Sequence, residues 1–167
     1  PASQESRHHE LMDWAGALEF SGRRFDVLGE ERFRKGASDY PVVVAPDIWC
    51  VYDETVEAAK EYVRRGGTLV VTPGSLGRTF SRYRDSGFAA FAAGDTGKGR
   101  VVVLEKDLGM AALAGQLAPL LPAPELKIEI APSGEFPCVE RLLVGDASRK
   151  VLYLQNWGGL DHKCHVT

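Results

Sequence analysis

Long apolar runs are missing: stretches such as Val42 to Ala45 and Val101 to Leu104 fall far short of the roughly 20 residues that a membrane-spanning helix needs. Charge of one sign is missing too. Twenty Lys and Arg stand against 23 Asp and Glu, interspersed along the chain, so no cationic face large enough for a nucleic-acid backbone is announced. Cysteine is scarce. Cys50, Cys138 and Cys164 are odd in number and widely spaced, which suits neither a disulfide framework nor a CxxC metal site, and they read as packed thiols. Pro1 to His9 hold no apolar core of a secretory signal, and the sequence names no compartment. No repeat and no low-complexity tract occurs. What remains is a chain of 167 residues, 44% hydrophobic and 26% charged, the balance of a globular protein able to bury a core.

Within it, periodicities of 3.6 residues alternate with short unbroken apolar runs. Leu11, Trp14, Ala15 and Leu18 recur at helical spacing and predict a helix over residues 4–19, capped by Ser3 and ended at Ser21-Gly22. Arg24 to Leu28 reads as a short strand. Val42 to Ala45 and Thr68 to Thr72 lack polar alternation, as strands covered on both faces do. Between them Val56, Ala59 and Val63 form an apolar stripe, with Asp53 as the expected N-cap and Gly66-Gly67 as the stop. Residues 42–72 therefore predict a β-α-β unit with parallel strands. Residues 73–99 are rich in glycine and proline and predict a surface excursion with one short helix near Phe88 to Ala92. Arg100 to Leu104 predicts a third strand, and Leu108 to Ala118 a last helix.

After Pro124 the helical pattern stops. Leu126, Ile128 and Ile130 alternate with charged residues, and Cys138 to Val144, Lys150 to Gln155 and His162 to Val166 predict further strands in antiparallel arrangement. The expected domains are an α/β domain at 1–124 and a partial β-rich domain at 125–167.

The ordered set Phe25-Asp-Val-Leu, Tyr40-Pro-Val-Val-Val-Ala-Pro, Asp53-Glu54, Tyr62-Val-Arg-Arg-Gly-Gly-Thr-Leu-Val-Val-Thr and Gly97-Lys-Gly-Arg-Val-Val-Val-Leu resembles the trimerisation domain of family 42 β-galactosidases over residues 4–121. Val151-Leu-Tyr-Leu-Gln-Asn-Trp is similar to the small β-domain that follows in those enzymes. The resemblance implies a flavodoxin-like, doubly wound parallel sheet of the class I glutamine amidotransferase type with its active site absent. In such a sheet a strand precedes the first helix. Pro1 to Ser6 read as the loop after it, so the expectation is a sheet without its first strand, completed by other material of the parent protein.

Function on this reading is accessory: oligomerisation, in a trimer by family resemblance, or shaping the mouth of a glycoside hydrolase site whose carboxylates lie elsewhere. The partner is the chain itself or the rest of its parent. Two other classes stay open. An amidotransferase-like or small hydrolase-like enzyme would use Cys50 or Ser75, since both follow strands at the carboxyl end of the sheet. Pro73-Gly74-Ser75-Leu76-Gly77 fits a nucleophile elbow loosely, with Pro where G-x-S-x-G wants Gly, and Asp47, Asp53 and Glu54 near Cys50 carry the wrong charge to favour a thiolate. A carbohydrate-binding module would use Trp49, Tyr52 or Trp157, whose rings suit sugar faces; burial in a core or interface is the plainer reading. His162-Lys-Cys164-His165 offers three metal-ligand types, but on a strand 165 points away from 162 and 164, and His8-His9-Glu10 sits on a solvated first turn. Gly97-Lys98-Gly99 lacks the phosphate-loop pattern, and Arg78, Arg82 and Arg84 read as a solvated loop face. Neither a metal nor a cofactor is expected.

Overall fold

A computed structural model describes residues 4–21, 23, 25–81, 83–106, 108–123, 128–131, 139–145, 150–156 and 163–166. The chain divides into two compact units, Pro1–Leu11 with Asp26–Leu108, and Met12–Phe25 with Gly109–Thr167. Helix α1 (Gln4–Phe20) contributes residues to each.

The first unit is built on three parallel strands, β1 (Val42–Ala45), β3 (Thr68–Val71) and β5 (Arg100–Val103), in the order β1-β3-β5. Their register is even, Val42 opposite Thr68 and Thr68 opposite Arg100. The central strand explains its composition: Leu69, Val70 and Val71 are all buried, so every side chain after Thr68 is apolar. Helix α3 (Asp53–Arg64) connects β1 to β3 and buries Val56, Ala59, Tyr62 and Val63 in one core with Ala45, Val51, Leu69, Val71 and Phe88. Burying each large side chain stabilises the unit by about 1.5–3 kcal/mol. The architecture is thus α/β with a parallel sheet, as the apolar runs predict, and is consistent with the doubly wound type that the resemblance implies.

Several local expectations are corrected. Residues 25–28, expected as a strand, are irregular, and Val27 is 82% exposed. Among the described residues no strand lies beside them to accept their backbone hydrogen bonds. They lead instead into helix α2 (Glu30–Gly36), which carries acids in its first turn and Arg34 and Lys35 in its last, the arrangement that a helix dipole favours. The excursion at 73–99 also has more structure than its composition suggests. Strand β4 (Arg78–Thr79) pairs in parallel with β2 (Cys50–Val51), and helix α4 occupies Phe88–Ala93.

In the second unit α1 buries Trp14, Ala17 and Leu18, while Leu11, expected on the same stripe, is exposed. Gly16 is buried as well and lies against the Met110 side chain, which a Cβ at 16 would meet at 2.6 Å. Ser21 ends the helix, its N–H on the Ala17 carbonyl and its hydroxyl on that of Leu18; Ser3 and Gly22 lie outside the described residues. Helix α5 (Gly109–Leu117) buries Leu113 and Leu117. Beyond it come only strands: β6 (Ile128–Ala131) antiparallel to β9 (Lys163–Val166), and β7 (Val139–Gly145) antiparallel to β8 (Lys150–Asn156).

Gly97-Lys98-Gly99 has a structural role. A Cβ on Gly99 would sit 2.1 Å from the Val63 carbonyl oxygen and 2.3 Å from that of Gly67, so the turn before β5 closes against the end of α3 only with glycine there. Lys98 N–H donates to Arg64 O and Arg100 N–H to Gly67 O, which sets the β3–β5 register. Gly99→Ala is expected to cost more than about 3 kcal/mol, the upper end of overpacking penalties, because backbone cannot move aside as a side chain can; urea denaturation measures it. Nearby, the Tyr62 hydroxyl donates to Tyr40 O and Thr68 O, tying the entries of β1 and β3. Burial pushes its phenol up to about 12. A raised folded-state value means that this stabilisation is whole below the unfolded value of about 10 and is lost as pH rises through the folded one. A spectrophotometric titration should show one tyrosine ionising well after the exposed ones, and Tyr62→Phe should remove that step.

Candidate functional site at the carboxyl end of the sheet

The loops after β1, β3 and β5 converge where parallel sheets bind ligands. Thr72, just past β3, is buried, and its Oγ1 accepts the Asp47 N–H at 2.8 Å. The same oxygen lies 3.0 Å from Ser75 Oγ. Ser75 N–H donates to Thr72 O at 3.0 Å, and Gly74 has φ +86°, so Pro73-Gly74 forms a turn of type II geometry where an elbow serine would stand. Ser75 is 5% exposed, its hydroxyl turned to Thr72 and not to an open cleft. From the loop after β5, Lys106 Nζ pairs with the Asp47 carboxylate, whose side chain is only 11% exposed. These polar groups of the carboxyl-end loops satisfy one another.

Cys50 lies on β2, half-buried, with its neighbours in the small β2–β4 ladder: Arg78 N–H donates to Trp49 O and Phe80 N–H to Val51 O. The structure does not bring Cys50 and Ser75 into hydrogen-bonding contact with each other. Among the described residues no group of three or more His, Cys, Asp or Glu could hold a metal ion. On β9, Cys164 stands opposite Ile130 and His165 opposite Glu129; His162 lies outside the described residues, as do Trp157, Cys138 and Arg82.

Trp49 and Tyr52, by contrast, are 38% and 53% exposed and are joined by Phe80 and Tyr83, 47% and 63% exposed. Trp49 pairs with Tyr83 at 6.3 Å between ring centroids and Tyr52 with Phe80 at 5.2 Å, the planes tilted by 48° and 52°. Ile48, 41% exposed, adjoins Trp49 in the chain. The sequence reading missed Phe80 and Tyr83 because nothing in residues 78–84 has a period. Asp53 holds that loop. It is the first residue of α3 and not its N-cap, a position that Tyr52 takes without a side-chain bond. Its carboxylate accepts the Ser81 hydroxyl and pairs with Arg84 at 3.5 Å. The cap that Asp53 was expected to supply comes instead from Glu30, which accepts Tyr52 N–H at 3.1 Å and Thr55 Oγ1 at 2.6 Å.

Among the described residues, the non-glycine positions in the left-handed region are Asp47, Leu76 and Tyr83, and all three lie in these loops.

Residues 2–83 match the model of the β-galactosidase trimerisation domain. The matched segment contains Trp49, Tyr52, Phe80 and Tyr83. Similar solved structures include an exo-carrageenase GH42 from Bacteroides ovatus (TM-score 0.68, 14% identity, 95% of this chain, 22% of that one). Gan42B, a GH42 β-galactosidase, is similar at TM-score 0.70 and 14% identity, over 94% of this chain and 31% of that one. A catalytic mutant of Gan42B from G. stearothermophilus matches at TM-score 0.70 and 15% identity, over 93% and 31%. At such identities the likeness is one of fold, and the chain spans less than a third of the length of these structures. No curated protein matches the sequence.

Two outcomes follow from the geometry. Glu30→Ala should destabilise by about 1–2 kcal/mol, as loss of a helix cap does, with Glu30→Gln retaining part of the stability in urea melts. The Ser81 hydroxyl, then Thr79 and Arg84, hold the Asp53 carboxyl below its ordinary 3.8 despite partial desolvation. With the folded value depressed, the anchor is intact above the unfolded value and is lost as pH falls through the folded one. Protection at Thr79, Phe80, Ser81 and Tyr83, after correction for the intrinsic exchange rate, should therefore fall in acid, and Asp53→Asn should lower it already at neutral pH.

Proposed function

We propose that this chain is a non-catalytic accessory part of a glycoside hydrolase resembling β-galactosidase, serving assembly of the enzyme or the shape of its active-site mouth. The observation that carries the reading is the mutual bonding of the polar groups at the carboxyl end of the sheet. Enzymes on this kind of sheet need an exposed nucleophile beside a base and an open place for substrate. Here Thr72, Ser75, Asp47 and Lys106 are bonded to one another across that place. On this reading the carboxylates that cleave the glycosidic bond stand elsewhere in the parent protein, and the strands beyond residue 124 belong to its following β-domain.

Binding of sugar through Trp49 and Tyr52 is the rival favoured by a specific observation, their exposure. Incubating the purified chain with a nitrophenyl galactoside, and separately with glutamine, separates accessory part from enzyme. No turnover above buffer is expected, and no rate that Ser75→Ala or Cys50→Ser abolishes. A rate lost in either variant would overturn the reading.

A further inference from the structure

We propose that Met110 is a redox-modification site: oxidation of its thioether to the sulfoxide by a peroxide releases helix α5 from helix α1 in the second unit. This holds whether or not the chain serves assembly.

Contact geometry is the first ground. Gly16 is buried within α1, and a Cβ built there would lie 2.6 Å from Met110 Sδ and 2.7 Å from its Cε. The thioether therefore occupies the space that any other residue at 16 would fill, directly against the α1 backbone. On α5, Met110 precedes Leu113 and Leu117 at helical spacing, so it heads the stripe that buries those two leucines. On α1, Trp14, Ala17 and Leu18 are buried as well.

Access and chemistry supply the second. Met110 is half-buried, so a small oxidant reaches it in the folded chain. A lone pair of Sδ attacks one oxygen of hydrogen peroxide. The S–O bond forms as the O–O bond breaks, the proton on the attacked oxygen passes to the leaving hydroxide, and water departs. Sulfur loses two electrons and peroxide gains them. The product is polar where the thioether was apolar. Backbone N–H groups around Gly16 are committed to carbonyls one turn back in α1, so the new oxygen finds no donor there and stands as an unpaired acceptor. Met12 is the natural comparison. It is the other of the chain's two methionines, 56% exposed and one turn before Gly16, and its oxidation places oxygen in water.

The test is millimolar hydrogen peroxide on the full 167-residue chain, then dithiothreitol to return reversibly oxidised cysteines, with peptide mass mapping and amide exchange. Two sulfoxides are expected in wild type, Met12 first and Met110 after. Protection of Trp14 to Leu18 and of Leu113 to Leu117 should fall at least about 10-fold as the Met110 sulfoxide accumulates, and should return when a methionine sulfoxide reductase removes it. Met12→Leu should show the same loss. Met110→Leu, which keeps an apolar side chain of similar size, should hold its protection under peroxide. Met110→Gln, polar without any oxidant, should show the loss untreated. Met110 left unoxidised in the folded chain after Met12 is complete overturns the proposal, as does a Met110 sulfoxide with unchanged protection. So does a loss in Met110→Leu under peroxide equal to that of wild type, or one in wild type that the reductase does not reverse.

Discussion

The fold of the first unit hangs on a close approach of backbone to backbone. Where α3 ends and β3 and β5 begin, Gly99 lies against the carbonyls of Val63 and Gly67 with no room for a side chain. From that point the even register of β3 and β5 follows, and four residues further along each strand the loops of the carboxyl end emerge at fixed spacing. Asp47, Thr72 and Lys106 meet because their strands start in register, although they are 25 to 59 residues apart in sequence.

How far the sequence speaks depends on the range of each interaction. The three parallel strands and α3 were legible because their signals are local: an unbroken apolar run, a stripe at helical spacing, glycines at a helix end. Helix α2 was not read, since seven residues with no buried position leave no stripe to detect. The β2–β4 pair has two residues on each side, too few for any alternation. In the site, Trp49, Tyr52, Cys50 and Ser75 were found by residue type and position after a strand. What decides their roles was not visible there. Ser75 is buried in a turn against a threonine hydroxyl, and the α3 N-terminus is met by Glu30, 22 residues before the amide it receives.

The carboxyl end thus keeps the position at which its fold binds ligands and turns that position inward. Lys106 and Asp47 neutralise one another, and Thr72 serves an amide and a hydroxyl at once. Apolar groups that a cleft would hold within it stand outside instead, on the β2–β4 ladder. Asp53 and Glu30 hold the loops on which they stand, the one through Ser81 and Arg84 and the other through Tyr52 and Thr55.

The left-handed backbone at Asp47, Leu76 and Tyr83 carries a separate consequence, for engineering. Non-glycine residues held there cost stability that the rest of the structure must offset. Selection for heat resistance alone would find glycine or asparagine at the exposed one, Tyr83, an easy gain, and would remove a ring from the surface in the same step. Thermal hardening at this position would therefore remove the ring that pairs with Trp49.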